Sequence, residues 1–407
     1  MDAVFDAHFR IIQDAFGRQG TRLGLAYTEN GDVDYIYEEG FLLVARRDGN
    51  VDRFSPLLRS DAPDPEQHET FVRVALADLN DSFPSVPDAL ARLDGDFNAG
   101  LPRGATPFVA PNHLWHVERL CSAIEPEVVT GTDQPFPPPR QPAEGEQAVG
   151  VALVDNGLVP DSPNAHTWLA GVQGEDDPIG PILPNDGQRL IEPFNGHGTF
   201  VAGVLRCQAP QTDVWVGNEL DTSGASLESK IVEKVTQVIR DRSPAIVNIS
   251  SGTYTRNDWV PLGFETFLQE HPDVLFVAAA GNDNTDRPLY PAAFEDVLSV
   301  GALGPDEVHR AWFSNYGETV NVYAIGEGHI NAFTVGEYRY NEPPKRPAAQ
   351  NFTVPLARWD GTSFSAPVVA GMIAARMGQT GENAKDARDA LLAQADDVPG
   401  LGKVLRV

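Results

Sequence analysis

The chain has 407 residues, 42% hydrophobic and 22% charged, which is enough apolar material for a large core and too much for a disordered chain. Its 58 acidic against 30 basic residues give a formal charge of −28, which repels phosphate backbones and anionic membranes and argues against nucleic acid as a partner. Two cysteines, Cys121 and Cys207, are too few for a disulfide framework, so a reducing interior is expected.

The opening stretch MDAVFDAHFRIIQDAFGRQG mixes acids with apolar positions and lacks the basic start and unbroken apolar run of a secretion signal. No stretch reaches membrane-spanning length, and the expected setting is cytoplasmic with no membrane partner, the alternative being a secreted form already stripped of its signal. YIYEEGFLLVARRDGNVDRF reads as a hairpin turning at Asp48-Gly49-Asn50. ETFVRVALADLNDSF places Val72, Ala75, Leu76 and Leu79 at helical spacing. In NHLWHVERLC, His113, His116 and Cys121 raise the question of a metal site; zinc wants a fourth ligand and tight pairs, so packing around Trp115 is the preferred reading. Residues 1–125 are expected to form a small α+β domain.

Prolines and polar residues interrupt every period between 126 and 148, as in a linker or an extended strap. From 149 to 407 apolar runs such as VGVALVD, TDVWVG, AIVNIS and VLFVAAA alternate with helical segments such as LESKIVEKVTQVIRD, the pattern of a parallel α/β sheet. Chemistry in such sheets gathers where strands end and helices begin. Asp155 ends VGVALVD, His197 stands between glycines in NGHGTFVAG, Asn282 ends FVAAAGN, and Ser363 opens a helix in GTSFSAP. Each alone is explained by capping, turn formation or packing; their combination in one α/β domain is not.

This set, with NISSG at 248–252, YPAAFEDVLSVGAL at 290–303 and FSNYG at 313–317, resembles the subtilisin-like serine peptidases over about residues 145–407. The resemblance implies a three-layer α/β catalytic domain with a parallel sheet, preceded here by the smaller α+β domain, and serine endopeptidase activity. A serine hydroxyl needs a neighbouring base. Ser363 is then the nucleophile, His197 the proton carrier, Asp155 the group that orients the imidazole, and Asn282 an oxyanion donor beside the Ser363 N–H. Ser365 is turned about 200° further round the helix and cannot share the histidine. Pro367 is expected in the first helical turn.

The same resemblance implies that a peptide adds as a strand between two edges, Asn218–Gly224 and Ser250–Gly252. Asn218, Glu219, Asp221, Gly224, Ser250, Ser251 and Gly252 then line the groove, Glu219 and Asp221 favour a basic residue upstream of the cut, and Leu289 shortens the primary pocket. Two insertions, QGEDDPIGPILPNDGQRLIEP and 326–355, read as surface loops, the second either flanking the cleft or forming an inert hairpin. The chemistry requires no cofactor, no metal ligands are assigned, and calcium bracing and oligomeric state stay open. Residues 1–125 read as a propeptide, a permanent regulatory or recognition domain, or a brace, and their length favours permanence. The partner is a peptide or protein substrate of an intracellular processing protease; the alternative is a peptidase-fold scaffold that binds a peptide or protein without turnover.

Overall fold

The computed structural model describes residues 3–117, 125–177, 180–184, 187, 189–220, 223–340 and 348–407. Its first unit is an antiparallel sheet with the order Ala225–Leu227, Val109–His116, Val33–Ala45, Phe71–Ala75, Glu66–Gln67, and with Leu23–Tyr27 also paired to Val33–Ala45. The helix Val86–Phe97 covers one face, where Leu90 and Leu93 meet Leu42, Val44, Val72 and Val74. Ser85 caps this helix by accepting from Asp88 N–H at 3.2 Å.

Two local expectations are corrected here. The positive φ angles of Asp48 and Gly49, 53° and 65°, do make a turn, but it leads into the helix Asn50–Phe54, whose Asn50 side chain donates to the Phe108 carbonyl at 3.0 Å. The hairpin forms earlier, between Leu23–Tyr27 and Val33–Ala45. The helical spacing around Val72 belongs to a strand, Phe71–Ala75, buried on both faces: Phe71 packs with Leu43, Ala110 and Leu262, whereas Val72 and Val74 face the helix side. Burial on both faces removes the period-two alternation and leaves an accidental helical period.

The second unit holds a nine-stranded sheet whose centre runs Val322–Ile325, Val297–Leu303, Leu275–Ala279, Ile246–Ile249, Gly150–Val154, Asp213–Val216, all parallel. The strand order reverses around Gly150–Val154, so the crevice beyond its carboxyl end is the place where an open α/β sheet binds ligands. Helices His197–Gln208 and Thr362–Thr380 pack on one face and Glu228–Arg242 and Leu262–Glu270 on the other, giving three layers. His197–Gln208 is buried along its whole length, since Phe200, Val201, Val204 and Leu205 join the sheet core while the opposite side lies against neighbouring helix and loops.

The two units share a boundary rather than a hinge. Trp115 is fully buried and stacks on Phe264 at 4.5 Å. Arg256 pairs with Asp94 at 2.6 Å, and Arg287 bridges Asp34 at 2.6 Å and Asp258 at 2.8 Å. His113 Nδ1 lies 3.1 Å from Glu228 Oε2 and its Nε2 accepts from Arg256 N–H at 3.3 Å, so both ring nitrogens are engaged within the protein. Cys121 lies outside the described residues, and among those described no group of three or more His, Cys, Asp or Glu is placed to hold a metal ion. Residues 126–148 are a strap laid along the second unit: Glu127–Val128 pairs with Leu356–Trp359, Phe136 bridges Ile330, and Gln147 N–H donates to the Gly378 carbonyl. Both insertions form small sheets, His329–Ala332 with Leu356–Trp359 and Gly336–Arg339 with Ala349–Phe352 and Leu190–Ile191.

Candidate functional site

Asp155 follows the last residue of Gly150–Val154 and is completely buried. His197 is the first residue of its helix, and its Nδ1 lies 2.8 and 3.0 Å from the two Asp155 carboxylate oxygens. Gly198 makes that approach possible, because a Cβ there would stand 3.1 Å from Asp155 Oδ1 and 2.4 Å from the Gly157 carbonyl oxygen. The imidazole is walled by Trp359, edge-on at 5.3 Å and 87°, and by Phe364 at 5.4 Å. Its Nε2 is buried with no hydrogen-bond partner among the described residues, so the ring has one nitrogen engaged and one available.

Ser363 is the second residue of Thr362–Thr380, where a backbone N–H has no acceptor within the helix. Its Oγ donates to the Ser250 carbonyl at 3.3 Å. Pro367 is the sixth residue of the helix and not in its first turn as the sequence led us to expect. Lacking an N–H, it cannot bond the Ser363 carbonyl, which instead accepts from Ser250 Oγ at 3.0 Å. The proline thereby ties the serine to the strand end at 250. Ser365 is buried, its Oγ pressed against Gly326.

Asn282 Oδ1 accepts from Thr362 N–H at 2.9 Å and from Thr362 Oγ1 at 2.8 Å. With the oxygen end fixed, the amide NH₂ is the end left for a ligand. Asn282, Ser251, Gly252, Gly281 and Leu289 line a small pocket that His116 and Val117 close. The Leu289 side chain comes within 2.9 Å of a Cβ built on Gly252 and 2.8 Å of one built on Gly281, so it fills the gap between the two backbones.

Of the two edges, Gly224 and Gly252 carry hydrogen bonds across a groove, and the first unit supplies the strand between them. His116 N–H donates to the Gly252 carbonyl and Gly252 N–H to the His116 carbonyl, both at 3.0 Å, and Val117 N–H donates to Gly224 at 2.8 Å. Ser250 and Ser251 lie buried beside it. Asn218 is not free to face the groove: its N–H donates to Glu175 at 2.7 Å and its side chain to the Asp176 carbonyl at 3.1 Å. Glu219 is the larger correction, because its carboxyl is 2% exposed and accepts from Asp155 N–H at 3.1 Å instead of facing a substrate. Asp221 lies outside the described residues.

A second buried acid escaped the sequence reading. Asp177 accepts from Gly196 N–H and from the Asn195 side chain, each at 2.6 Å, and so braces the loop that presents His197. Burial pushes its carboxyl up to about 7 against the lowering effect of those two donors. No motif announces it; it follows Glu175 and Asp176 in an acidic run that reads as surface.

Asp155 and His197 in contact at the switch point of a parallel sheet, with the helix that begins at Thr362 packed on the imidazole through Phe364, are the arrangement of a subtilisin-like architecture. The chain belongs to the subtilase family, whose Peptidase S8 model matches residues 146–406. It is 28% identical over 276 residues to a thermophilic serine proteinase of Bacillus sp. (strain AK1), covering 64% of this chain and 59% of that protein. It is 28% identical over 245 residues to an intracellular serine protease of Paenibacillus polymyxa, covering 56% of this chain and 66% of that one. The solved structure of fervidolysin from Fervidobacterium pennivorans matches with a TM-score of 0.59 at 19% identity, over 91% of this chain and 60% of that chain, a similarity of fold that runs well beyond the family-matched segment. In all three cases the chain spans less than two thirds of the relative's own length.

Proposed function

We propose that the chain is a serine endopeptidase that uses Ser363, His197 and Asp155 as its triad and Asn282 as an oxyanion donor. The observation that carries this reading is the His197 Nδ1 contact with Asp155 at 2.8 Å, which leaves Nε2 available in a buried site bordered by the Ser363 helix. For attack, the Ser363 hydroxyl exchanges its Ser250 acceptor for His197 Nε2, passes its proton there, and adds to the substrate carbonyl. The oxyanion that forms meets the Ser363 N–H, the Asn282 amide and the positive end of a nineteen-residue helix. Asp155 keeps the imidazole in the required tautomer and stabilises the imidazolium, which returns the proton to the leaving amine.

The reading extends to the first unit, whose strand end His116–Val117 occupies the groove where a substrate strand would pair, which makes residues 1–117 a cleft-blocking regulatory unit. Its ion pairs with the second unit support permanence. The peptide or protein substrate is one with a small or medium apolar residue before the cut, because Leu289 fills the pocket floor. An intracellular setting accords with the relative so named. Among the described residues no helix is long and apolar enough to cross a membrane.

Single alanine substitutions at Ser363, His197 and Asp155 test the chemistry: each is expected to lower peptide hydrolysis by several orders of magnitude, with strongly non-additive losses in combination. Full activity in Ser363→Ala refutes the assignment. Intact mass after incubation tests the permanence of the first unit, which is expected to stay attached; a Ser363-dependent loss of residues 1–125 would make it a removable propeptide.

A further inference from the structure

Glu219 has no counterpart in the chemistry just described, and its placement needs a reason. Burying a carboxyl is costly, and here Glu219 reaches under Asp155 to accept its N–H at 3.1 Å. The next residue completes the clamp: Leu220 N–H donates to the Asp155 carbonyl at 3.0 Å. Both main-chain polar groups of Asp155 are therefore held by consecutive residues of one loop. The fold-back depends on Gly217, where a Cβ would stand 2.0 Å from Glu219 Oε1. Among the described residues Glu219 makes no ion pair, so no cation compensates its charge by contact.

We propose that Glu219 is a positioning residue for the triad: its carboxyl, accepting the Asp155 N–H, fixes the strand end that carries Asp155, and a charge on it changes the field at the contact between Asp155 and His197. The inference rests on the peptidase reading for its consequence but on the clamp alone for its geometry. Burial pushes the Glu219 carboxyl up to about 8. The charged and titratable groups around it are Glu175, which raises it further, Lys234, which opposes that rise, and the Asp155 carboxylate whose N–H it holds; Asp155 in turn faces His197 and feels Asp177 from the other side. A charge on Glu219 would add a negative group next to the Asp155 main chain. The Nδ1–H of His197 then sits in a different field, while the Asp155 N–H donates to a carboxylate in place of a neutral acid.

The test uses the full chain and reads the His197 Nδ1–H line by proton NMR from pH 6 to 10, in wild type and in Glu219→Gln, which keeps the shape and an acceptor oxygen without the titration. The wild-type line is expected to show a step with a midpoint between pH 7 and 9 that Glu219→Gln lacks. The same step in both proteins, or none in the wild type, overturns the proposal. Labelling of Ser363 by a fluorophosphonate gives the chemical consequence: Glu219→Ala should slow it about tenfold at pH 7, and Glu219→Gln should recover most of that loss. An unchanged rate in Glu219→Ala also counts against the role. Absence of labelling in a folded protein whose groove has been cleared of His116–Val117 would sink the peptidase reading, while the NMR comparison would still decide the clamp.

Discussion

Val117→Pro should open the groove. Three main-chain hydrogen bonds hold the strand end of the first unit there: the reciprocal pair between His116 and Gly252 at 3.0 Å and Val117 N–H to Gly224 at 2.8 Å. Proline removes the last donor, while the extended backbone that it imposes on His116 is already that of a strand, so the damage is confined to one bond. Removing the donor leaves the Gly224 carbonyl unpaired in a buried setting, which costs about 1–3 kcal/mol. A loss of about 1–3 kcal/mol raises the population with a vacated groove between about fivefold and 150-fold while the closed state dominates. Initial rates on a fluorogenic peptide should rise by that factor, with kcat per open molecule unchanged. Ion pairs such as Arg256 with Asp94 remain, so the first unit stays folded and attached. An unchanged or lower rate, with the protein shown to be folded by circular dichroism, would refute the idea that His116–Val117 blocks substrate.

Asn282→Ala should lower kcat about 10²–10³-fold with little change in KM, the size of loss measured for the oxyanion asparagine of subtilisin itself; a change confined to KM would count against its role. Leu289→Gly should raise kcat/KM for Phe relative to Ala at the residue before the cut by about 10–200-fold, and a wild type that already prefers Phe or Tyr in a peptide library contradicts the pocket assignment. Asp177 has a folded-state pKa raised from 3.8 to about 7, so its contribution to stability is complete below pH 4 and is lost as the pH rises through 7. Thermal scans of wild type and Asp177→Asn should therefore diverge in favour of the variant between pH 4 and 8, and parallel curves would show that the acid is not held as described.

What the sequence reveals depends on how local the determinant is. Asp155 and Asn282 lie just beyond the carboxyl ends of strands and His197 and Ser363 at the start of helices, where glycines, small residues and a change of hydrophobic period mark the position in a dozen residues. Leu289 is reached only through the resemblance, as the residue before Tyr290-Pro291. Glu219 is not: its direction is fixed by Gly217 and by the neighbouring strand that ends in Asp155, 64 residues earlier, and an acid on a presumed edge gives no sign that it turns inward. Asp177 is hidden likewise, since its partners Asn195 and Gly196 meet it only in the folded loop. In the first unit, Phe71–Ala75 misleads because both of its faces are buried, and the pairing of Val117 with Gly224 is a long-range contact that no window of sequence contains.

The central claim is that Ser363 is a nucleophile activated by His197, and covalent labelling addresses it most directly. Full-length protein incubated with a fluorophosphonate, digested and analysed by mass spectrometry should carry one phosphonyl adduct on Ser363, formed faster in Val117→Pro, abolished in Ser363→Ala and severely slowed in His197→Ala. An adduct on Ser365, or no adduct on a folded protein whose groove has been opened by Val117→Pro, would contradict it.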